Sequence, residues 1–240
     1  MRIPGSSDGP SGRLDRVADR AGVARRPLVG RAGEVAAVVG LVSGAAKGEA
    51  GALLIAGEAG VGKTALVRDA SARVGGDADV LWAPCLPLTS LAVPFLPLTS
   101  ALREWAAGRD APMPVLGGSA REGPTGFDTW LGELCRQRPV LLVVDDLQWA
   151  DQSTLDVLMY VIAGLAARRL AVVTTVRTGE EGDPLRRWLA DVRRLPGVRE
   201  LYRVGWTGWP PANSWAACWD ARRASRWWTT CSRAPGAMPT

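Results

Sequence analysis

The sequence contains no histidine, and its four cysteines (Cys85, Cys135, Cys218 and Cys231) lack the C-x-x-C spacing of metal-binding and redox motifs. Zinc sites depend on closely spaced Cys and His ligands, and catalysis of the Ser-His-Asp type depends on an imidazole. The sequence therefore argues against both kinds of site. Scattered free thiols are typical of a reducing compartment, so we predict a cytoplasmic protein.

Long apolar runs are also missing. No uninterrupted apolar stretch reaches the length of about 18 residues that spans a bilayer, and the longest candidate, residues 161–176, is broken by Arg168 and Arg169. Residues 1–26 are rich in Gly, Ser, Asp and Arg and lack the apolar core of a signal peptide. We therefore expect no membrane partner, and we interpret residues 1–26 as a disordered leader.

Blocks of basic residues are absent although the net charge is +5, because the 29 basic residues are spread along the chain. The charge pattern therefore does not indicate a nucleic-acid-binding tail of the usual basic kind. With 240 residues, 47% of them apolar, the chain is long enough for one large or two small domains with a buried core.

A complete phosphate-binding loop is present. Residues 57–64 read GEAGVGKT, which matches G-x-x-x-x-G-K-[ST]; an apolar run at 52–56 precedes the loop and a helical pattern follows it. Glycines let consecutive N–H groups point at the phosphates, and the helix adds the positive end of its dipole. The residues predicted to bind the nucleotide are Gly57, Glu58, Ala59, Gly60, Val61, Gly62, Lys63, Thr64 and Ala65.

Four side chains are candidates for the chemistry of this site. Lys63 is placed to bind the β- and γ-phosphates, and the Thr64 hydroxyl to ligate Mg²⁺. Residues 139–146 read PVLLVVDD, an apolar strand that ends in two carboxylates. Ligands of parallel sheets lie beyond the carboxyl ends of the strands. Asp145 is therefore predicted to hold Mg²⁺ and Asp146 to orient the attacking water, although Glu is commoner there. A simple Asp-Asp turn is the weaker alternative.

Three further segments resemble the STAND-class ATPases, above all the large ATP-binding LuxR-type regulators and the ATPase domains fused to bacterial adenylate cyclases. Residues 145–155 read DDLQWADQSTL and resemble the DDLHWAD stretch of that family, with Gln148 where His is common. Residues 28–31 with Glu34 resemble its LVGRxxE segment. Residues 170–177 read LAVVTTVR and end in an arginine, as the corresponding strand of the family does.

The resemblance implies roles for several residues and covers about residues 27–200. It implies that Val29, Gly30 and Arg31 lie against the adenine, and that Arg177 senses the γ-phosphate; a solvated charge at a strand end is the alternative for Arg177. It also implies ATP and Mg²⁺ as cofactors, ADP as the product of any hydrolysis, and oligomerisation through the ATPase domain.

The order of patterns along the chain predicts an α/β fold. We expect strands at 52–56, 80–83, 139–146 and 170–177, helices at 34–46, 100–107, 127–138 and 153–167, and a Gly/Pro-rich loop at 108–126. Alternation of strands and helices favours a parallel sheet with right-handed crossovers. With the resemblance, it implies a P-loop NTPase domain over residues 27–200: three α/β/α layers around a mostly parallel sheet, without the helical lid domain.

The composition changes near Tyr202. Residues 202–240 hold six of the eleven tryptophans, one Val and no Leu, Ile, Glu or Lys. Trp has the single codon TGG, and reading one nucleotide earlier turns each into NTG, usually Leu or Val. Read back in this way, the codons of residues 236–240, with one preceding base and the stop codon that follows, can be written as Arg-Gly-Asn-Ala-Tyr-Leu, which resembles the R-x-x-GN-[PA]-[FY] signature of the family's helical domain. We hypothesise that residues 201–240 are a frameshifted, disordered tail that truncates the domain.

Three functions from different classes remain open. The first is a Mg²⁺-ATP-binding switch domain, with weak or no hydrolysis, from a STAND/LuxR-type transcriptional regulator. The second is an autonomous AAA+ ATPase of the origin-recognition type that acts with nucleic acid, which would need a lid with a second sensor arginine. The third is a non-enzymatic fragment whose Trp/Arg tail binds single strands by stacking. The lack of a helix-turn-helix argues against direct DNA binding.

Overall fold

The computed structural model describes residues 31–88, 93–107, 109, 113–114, 116, 122–166 and 168–203. The predicted leader, Val29 and Gly30 of the predicted adenine contact, and the part of the tail beyond residue 203 lie outside the described residues. None of the helices described has both the length and the apolarity needed to cross a membrane.

Helices and strands alternate along the described chain. The helices are α1 (Ala32–Ala46), α2 (Lys63–Val74), α3 (Leu96–Ala106), α4 (Glu122–Gln137), α5 (Gln152–Ala163) and α6 (Asp183–Val192). The strands are β1 (Gly51–Gly57), β2 (Asp79–Pro84), β3 (Val140–Asp145), β4 (Leu170–Arg177) and β5 (Val198–Arg203). A 3₁₀ turn, Leu147–Trp149, follows β3.

The five strands form one parallel sheet in the order β2-β3-β4-β1-β5. Strands β1 and β3 are buried along their whole length, which explains why each reads as a continuous apolar run rather than an alternating one. Because β4 lies between β1 and β3, the phosphate loop and the acidic pair belong to strands that are not neighbours.

Helices cover both faces of the sheet. On one face α1 and α2 pack against Leu53, Ile55, Leu141 and Val143. On the other face α3, α4, α5 and α6 pack around the alternate residues of the same strands, such as Leu54. The three-layer α/β/α architecture predicted from the sequence is confirmed.

Several predicted boundaries differ from the structure. Helix α4 begins at Glu122, so the predicted loop at 108–126 is wrong for its last five residues, and α5 ends at Ala163 rather than at residue 167. Helix α3 begins at Leu96, four residues before the predicted start. These errors lie at element ends, where packing decides how far a helix extends and local pattern gives the weakest signal.

Helix α6 and strand β5 were not predicted. The buried residues of α6 are Leu185, Trp188, Leu189 and Val192, at the i, i+3, i+4, i+7 spacing that marks an amphipathic helix. Strand β5 reads VRELYR and lacks the continuous apolar run of a buried strand. It pairs only with β1, at one edge of the sheet, and most of its residues are partly or fully exposed. It continues to Arg203, three residues beyond residue 200, the predicted end of the domain.

Candidate functional site

The phosphate loop connects the end of β1 at Gly57 with the start of α2 at Lys63. Gly60 and Gly62 have φ angles of 76° and 81°, in the left-handed region that favours glycine. A Cβ on Gly62 would also stand 2.6 Å from Nη1 of Arg31. Position 62 thus favours glycine for two reasons: the backbone is left-handed there, and a side chain would clash with Arg31.

Lys63 lies inside this loop and is only 5% exposed. Its Nζ donates hydrogen bonds to the carbonyl oxygens of Gly57 and Glu58, both at 2.8 Å. Burial lowers the pKa of Lys63, and the carboxylate of Asp146 acts in the opposite direction. The amine is held by carbonyls that phosphate oxygens could replace.

Asp145 lies at the end of β3 and is also 5% exposed. Its Oδ1 accepts hydrogen bonds from the hydroxyls of Thr175, at 2.6 Å, and Thr64, at 3.1 Å. Burial raises the pKa of the Asp145 carboxyl, while these two hydrogen bonds oppose the rise. The structure therefore brings together the two predicted metal ligands, Thr64 and Asp145, from positions 81 residues apart.

The donor set suits magnesium. A hydroxyl and a carboxylate are hard oxygen ligands, and Mg²⁺ in nucleotide sites takes its other ligands from phosphate and water. In the part of the chain that is described, no three acidic, Cys or His side chains lie together as a metal cage. Thr64 and Asp145 thus fit a cation that arrives with a phosphate ligand.

Asp146 has a left-handed backbone conformation, with φ 62° and ψ 54°. A non-glycine residue there is strained by about 1 kcal/mol. Its N–H donates to Oγ1 of Thr175 at 2.8 Å, so Thr175 contacts both acidic residues. Its carboxylate oxygens lie 3.5 Å from Nε and Nη2 of Arg177. The strained residue is thereby held between a hydroxyl and a guanidinium.

Arg177 ends β4 and is tied to three partners. Its guanidinium contacts Asp146 and Glu180, each at 3.5 Å. Its backbone N–H donates to Oε1 of Gln148 at 3.1 Å, which links the end of β4 to the 3₁₀ turn after β3. The Arg177 side chain is about one-third exposed, so it is partly solvated as well as paired.

The loop, Asp146 and Arg177 border one cleft of about 390 Å³. Its lining residues are Gly60, Gly62, Lys63, Thr64, Ala65, Arg68, Asp146 and Arg177. The remaining predicted loop residues, Glu58, Ala59 and Val61, lie between β1 and α2. Most of the predicted phosphate-side residues thus converge on a single space.

Three residues of this region were missed by sequence reasoning. Arg68 lines the cleft one helical turn after Thr64, with its guanidinium carbon 5.2 Å from the centre of the Trp82 ring. Thr175 bridges the acidic pair, and Gln148 connects two strand ends. Arg68 follows Thr64 by four residues in a predicted helix, and this spacing puts both side chains on the same face of that helix. The spacing could therefore have predicted that Arg68 lies beside the site.

The chain is similar to known proteins in sequence and in fold. A family model described as an AAA ATPase domain matches residues 27–173, more than half of the chain. No curated protein matches it.

Solved structures share the fold at low identity. Cdc6p from Pyrobaculum aerophilum has a TM-score of 0.52 and 19% identity over 78% of this chain and 48% of that chain. The Aeropyrum pernix ORC2 protein in its ADP form has a TM-score of 0.49 and 17% identity over 72% of this chain and 48% of that chain. The ORC1 protein of Aeropyrum pernix in complex with DNA has a TM-score of 0.46 and 20% identity over 72% of this chain and 44% of that chain. This chain spans less than half the length of these three proteins.

Proposed function

The chain belongs to the AAA ATPase domain family, and from that premise we propose that it binds Mg²⁺-ATP at the cleft beside the phosphate loop. The observation that carries the proposal is the convergence of Lys63, Thr64, Asp146 and Arg177 on one space, with Asp145 hydrogen-bonded to Thr64 behind them. A phosphate loop that was only a structural turn would not need a lysine, a metal-ligand pair and an arginine around the same opening.

Each side chain has a role that follows from its present contacts. Lys63 exchanges its bonds to the Gly57 and Glu58 carbonyls for bonds to the β- and γ-phosphates. Thr64 and Asp145 hold the cation, which when bound neutralises charge on the phosphates. Asp146 orients the attacking water in any hydrolysis.

Arg177 gives the site a means of distinguishing ATP from ADP. Its guanidinium is shared by Asp146 and Glu180. A γ-phosphate competes with these carboxylates for the guanidinium, and the change reaches Gln148 through the Arg177 N–H. Two arrangements with different contacts to the γ-phosphate are what a nucleotide switch requires.

The finer proposal is a switch domain of the STAND/LuxR regulator type with weak or no hydrolysis. It is supported by DDLQWAD at 145–151 and by LVGR at 28–31. The alternative, an origin-recognition ATPase, is supported by the similarity to Cdc6p. At 19% identity, that similarity shows a shared fold and not a shared function. No contact in the described residues favours a nucleic-acid role over the switch.

The chain offers a matched control for testing nucleotide binding, because it contains only two lysines, Lys47 and Lys63. Lys47 is exposed at the end of α1, whereas Lys63 lies within the phosphate loop. Calorimetric titration of the full chain with ATP and Mg²⁺ should show binding in the wild type and in Lys47→Ala. In Lys63→Ala the affinity should fall by roughly 100-fold, because the main cation on the β- and γ-phosphates is gone. Equal affinity of the two variants would refute the proposal.

A further inference from the structure

Arg203, the last residue of β5, is a buried arginine with two nitrogen atoms that have no hydrogen-bond partner in the described part of the chain. The residue is 7% exposed, and its Nε and Nη1 have no hydrogen-bond partner among the described residues. Strand β5 pairs Arg203 with Gly57, the first residue of the phosphate loop. A Cβ added to Gly57 would stand 2.9 Å from the Cβ of Arg203, so the two strands are in close contact there. The unpaired cation therefore lies directly beside the start of the loop.

The surroundings of Arg203 are themselves positive. Arg31 approaches the loop at Gly62, and no ion pair of either arginine occurs in the described part of the chain. Burial lowers the pKa of Arg203, the charge of Arg31 lowers it further, and Glu34 opposes both. The positive charge of Arg203 in turn contributes to the lowered pKa of Lys63, after burial and Arg177. Around Arg203, one carboxylate, that of Glu34, thus faces two guanidinium groups, those of Arg31 and Arg203.

Two helices also begin at this corner. Helix α1 starts at Ala32, next to Arg31, and α2 starts at Lys63. Helix N-termini carry partial positive charge and unsatisfied N–H groups. Unpaired buried cations are costly in a folded protein, so a corner with this excess of positive charge is suited to an anion that comes from outside the chain.

Strand order indicates which part of a nucleotide reaches this corner. Asp145 and Arg177 lie at the ends of β3 and β4, on one side of β1, and β5 lies on the other side. A triphosphate that sits in the loop with its γ-phosphate towards Arg177 has its α-phosphate towards β5. The family resemblance places Arg31 against the adenine, whereas no prediction from the sequence concerned Arg203.

We propose that Arg203, together with Arg31, binds the α-phosphate of the nucleoside di- or triphosphate held by the loop. This inference rests on the proposed function. It predicts two effects of opposite sign for Arg203→Met, which removes the charge and keeps most of the side-chain length. The nucleotide-free protein should become more stable, with a melting temperature higher by about 2–4 °C. Affinity for ATP should fall by roughly tenfold, because charge-assisted hydrogen bonds to phosphate are lost.

The experiment compares the full-length wild type with Arg203→Met, Arg203→Lys and Arg199→Met. Arg199 lies on the same strand and is exposed, so its variant controls for the loss of an arginine from β5. Thermal melting without ligand and competition titration with ATP, ADP, AMP and adenosine are measured for each protein. For Arg203→Met, the three nucleotides should lose affinity by a similar factor and adenosine should not. Arg203→Lys should show a smaller loss without the stabilisation, and Arg199→Met should match the wild type.

Three results would overturn the assignment of Arg203. These are an unchanged ATP affinity in Arg203→Met, a lower melting temperature of the ligand-free variant, or an equal loss for adenosine, which would place Arg203 at the nucleoside. Failure of the proposed function has a different signature, since wild-type protein would then bind ATP no better than Lys63→Ala.

Discussion

The two flanks of the phosphate loop differ in whether their charged groups have partners within the protein. On the acidic flank (Asp145, Asp146, Thr175 and Arg177) the carboxylates accept hydrogen bonds or form an ion pair with the arginine. On the basic flank (Arg31 and Arg203) the Nε and Nη1 atoms of Arg203 are buried without a partner among the described residues. The fold thus supplies its own countercharges where a metal and water would act. It leaves positive charge uncompensated where the negative charge belongs to the ligand.

The difference follows from the position of the strands. Strands β3 and β4 have neighbours on both sides, so that side chains such as Thr175 at their ends can reach across to the next strand. Strand β5 is paired through β1 alone, and Arg203 is near the start of α1. We therefore expect the side chains of the acidic flank to be held in place before a ligand binds. On the basic flank, we expect a bound ligand to stabilise the folded protein.

Among variants of the two flanks, the largest expected effect on ligand binding concerns the metal on the acidic flank. Asp145→Asn should leave ATP binding measurable without Mg²⁺ but abolish the gain in affinity that Mg²⁺ confers, a loss of about tenfold or more. Calorimetric titrations with Mg²⁺ and with EDTA measure this gain directly. Asp77→Asn, at an exposed position, is the control. A Mg²⁺ titration that is unaltered in Asp145→Asn would remove the metal from this flank.

Adjacent threonines on β4 test whether the acidic flank is held in place before ligand binds. Thr175 and Thr174 are both almost fully buried, but only Thr175 bonds the acidic pair, while the Thr174 hydroxyl has no partner in the described part of the chain. Thr175→Val should lower the free energy of unfolding by about 2–3 kcal/mol, because it leaves the Asp145 carboxylate and the Asp146 N–H short of a partner. Urea denaturation should show Thr174→Val to be neutral or slightly stabilising. Equal changes in the free energy of unfolding at both positions would show that the hydrogen bonds of Thr175 with Asp145 and Asp146 do not stabilise the protein.

The strained backbone of Asp146 gives a smaller effect. Asp146→Ala should unfold more easily than Asp146→Gly by about 1 kcal/mol, because glycine adopts a φ of 62° without a Cβ penalty. Both variants lose the contact with Arg177, so the difference between them isolates the backbone. Denaturant midpoints measured on both proteins check this. If alanine proved the more stable of the two, the left-handed conformation would not persist in solution.

Removal of residues 204–240 should have the smallest effect on the nucleotide site, since the deletion retains Arg203 and every residue of both flanks. ATP affinity should change by less than about twofold. The alternative of a nucleic-acid-binding tail predicts instead a loss of single-stranded DNA binding. Filter binding over a salt series distinguishes them: we expect weak binding that disappears at physiological salt. Tight, tail-dependent binding at that salt would favour the nucleic-acid alternative.

Much of the phosphate loop and of the acidic flank could be predicted from the sequence because their motifs are local. A strand, a glycine-rich turn and a lysine at fixed spacing place Lys63 and Thr64 without knowledge of the rest of the chain. Asp145 and Asp146 follow from the rule that ligands lie beyond the carboxyl ends of parallel strands. Arg177 came from resemblance, and the structure gives it contacts with Asp146 and Gln148.

The bridging and unpaired residues were not accessible in this way. In LAVVTTVR the two threonines are equivalent, and only the pleat of β4 turns one hydroxyl towards Asp145. Arg203 lies in a segment whose composition predicted no regular structure, and its relation to Gly57 exists only through the pairing of β5 with β1.

The class of fold and the residues of the phosphate loop could be predicted from the sequence, because both depend on short patterns whose geometry is set by the local backbone. Tertiary structure alone decided the strand order β2-β3-β4-β1-β5. That order inserts β4 between the loop strand and the acidic strand, so that Thr175 and Arg177 stand between them, and it puts β5 on the loop's other side. Pairings between strands far apart in sequence are selected by burial and register across the whole sheet, and no single segment encodes them.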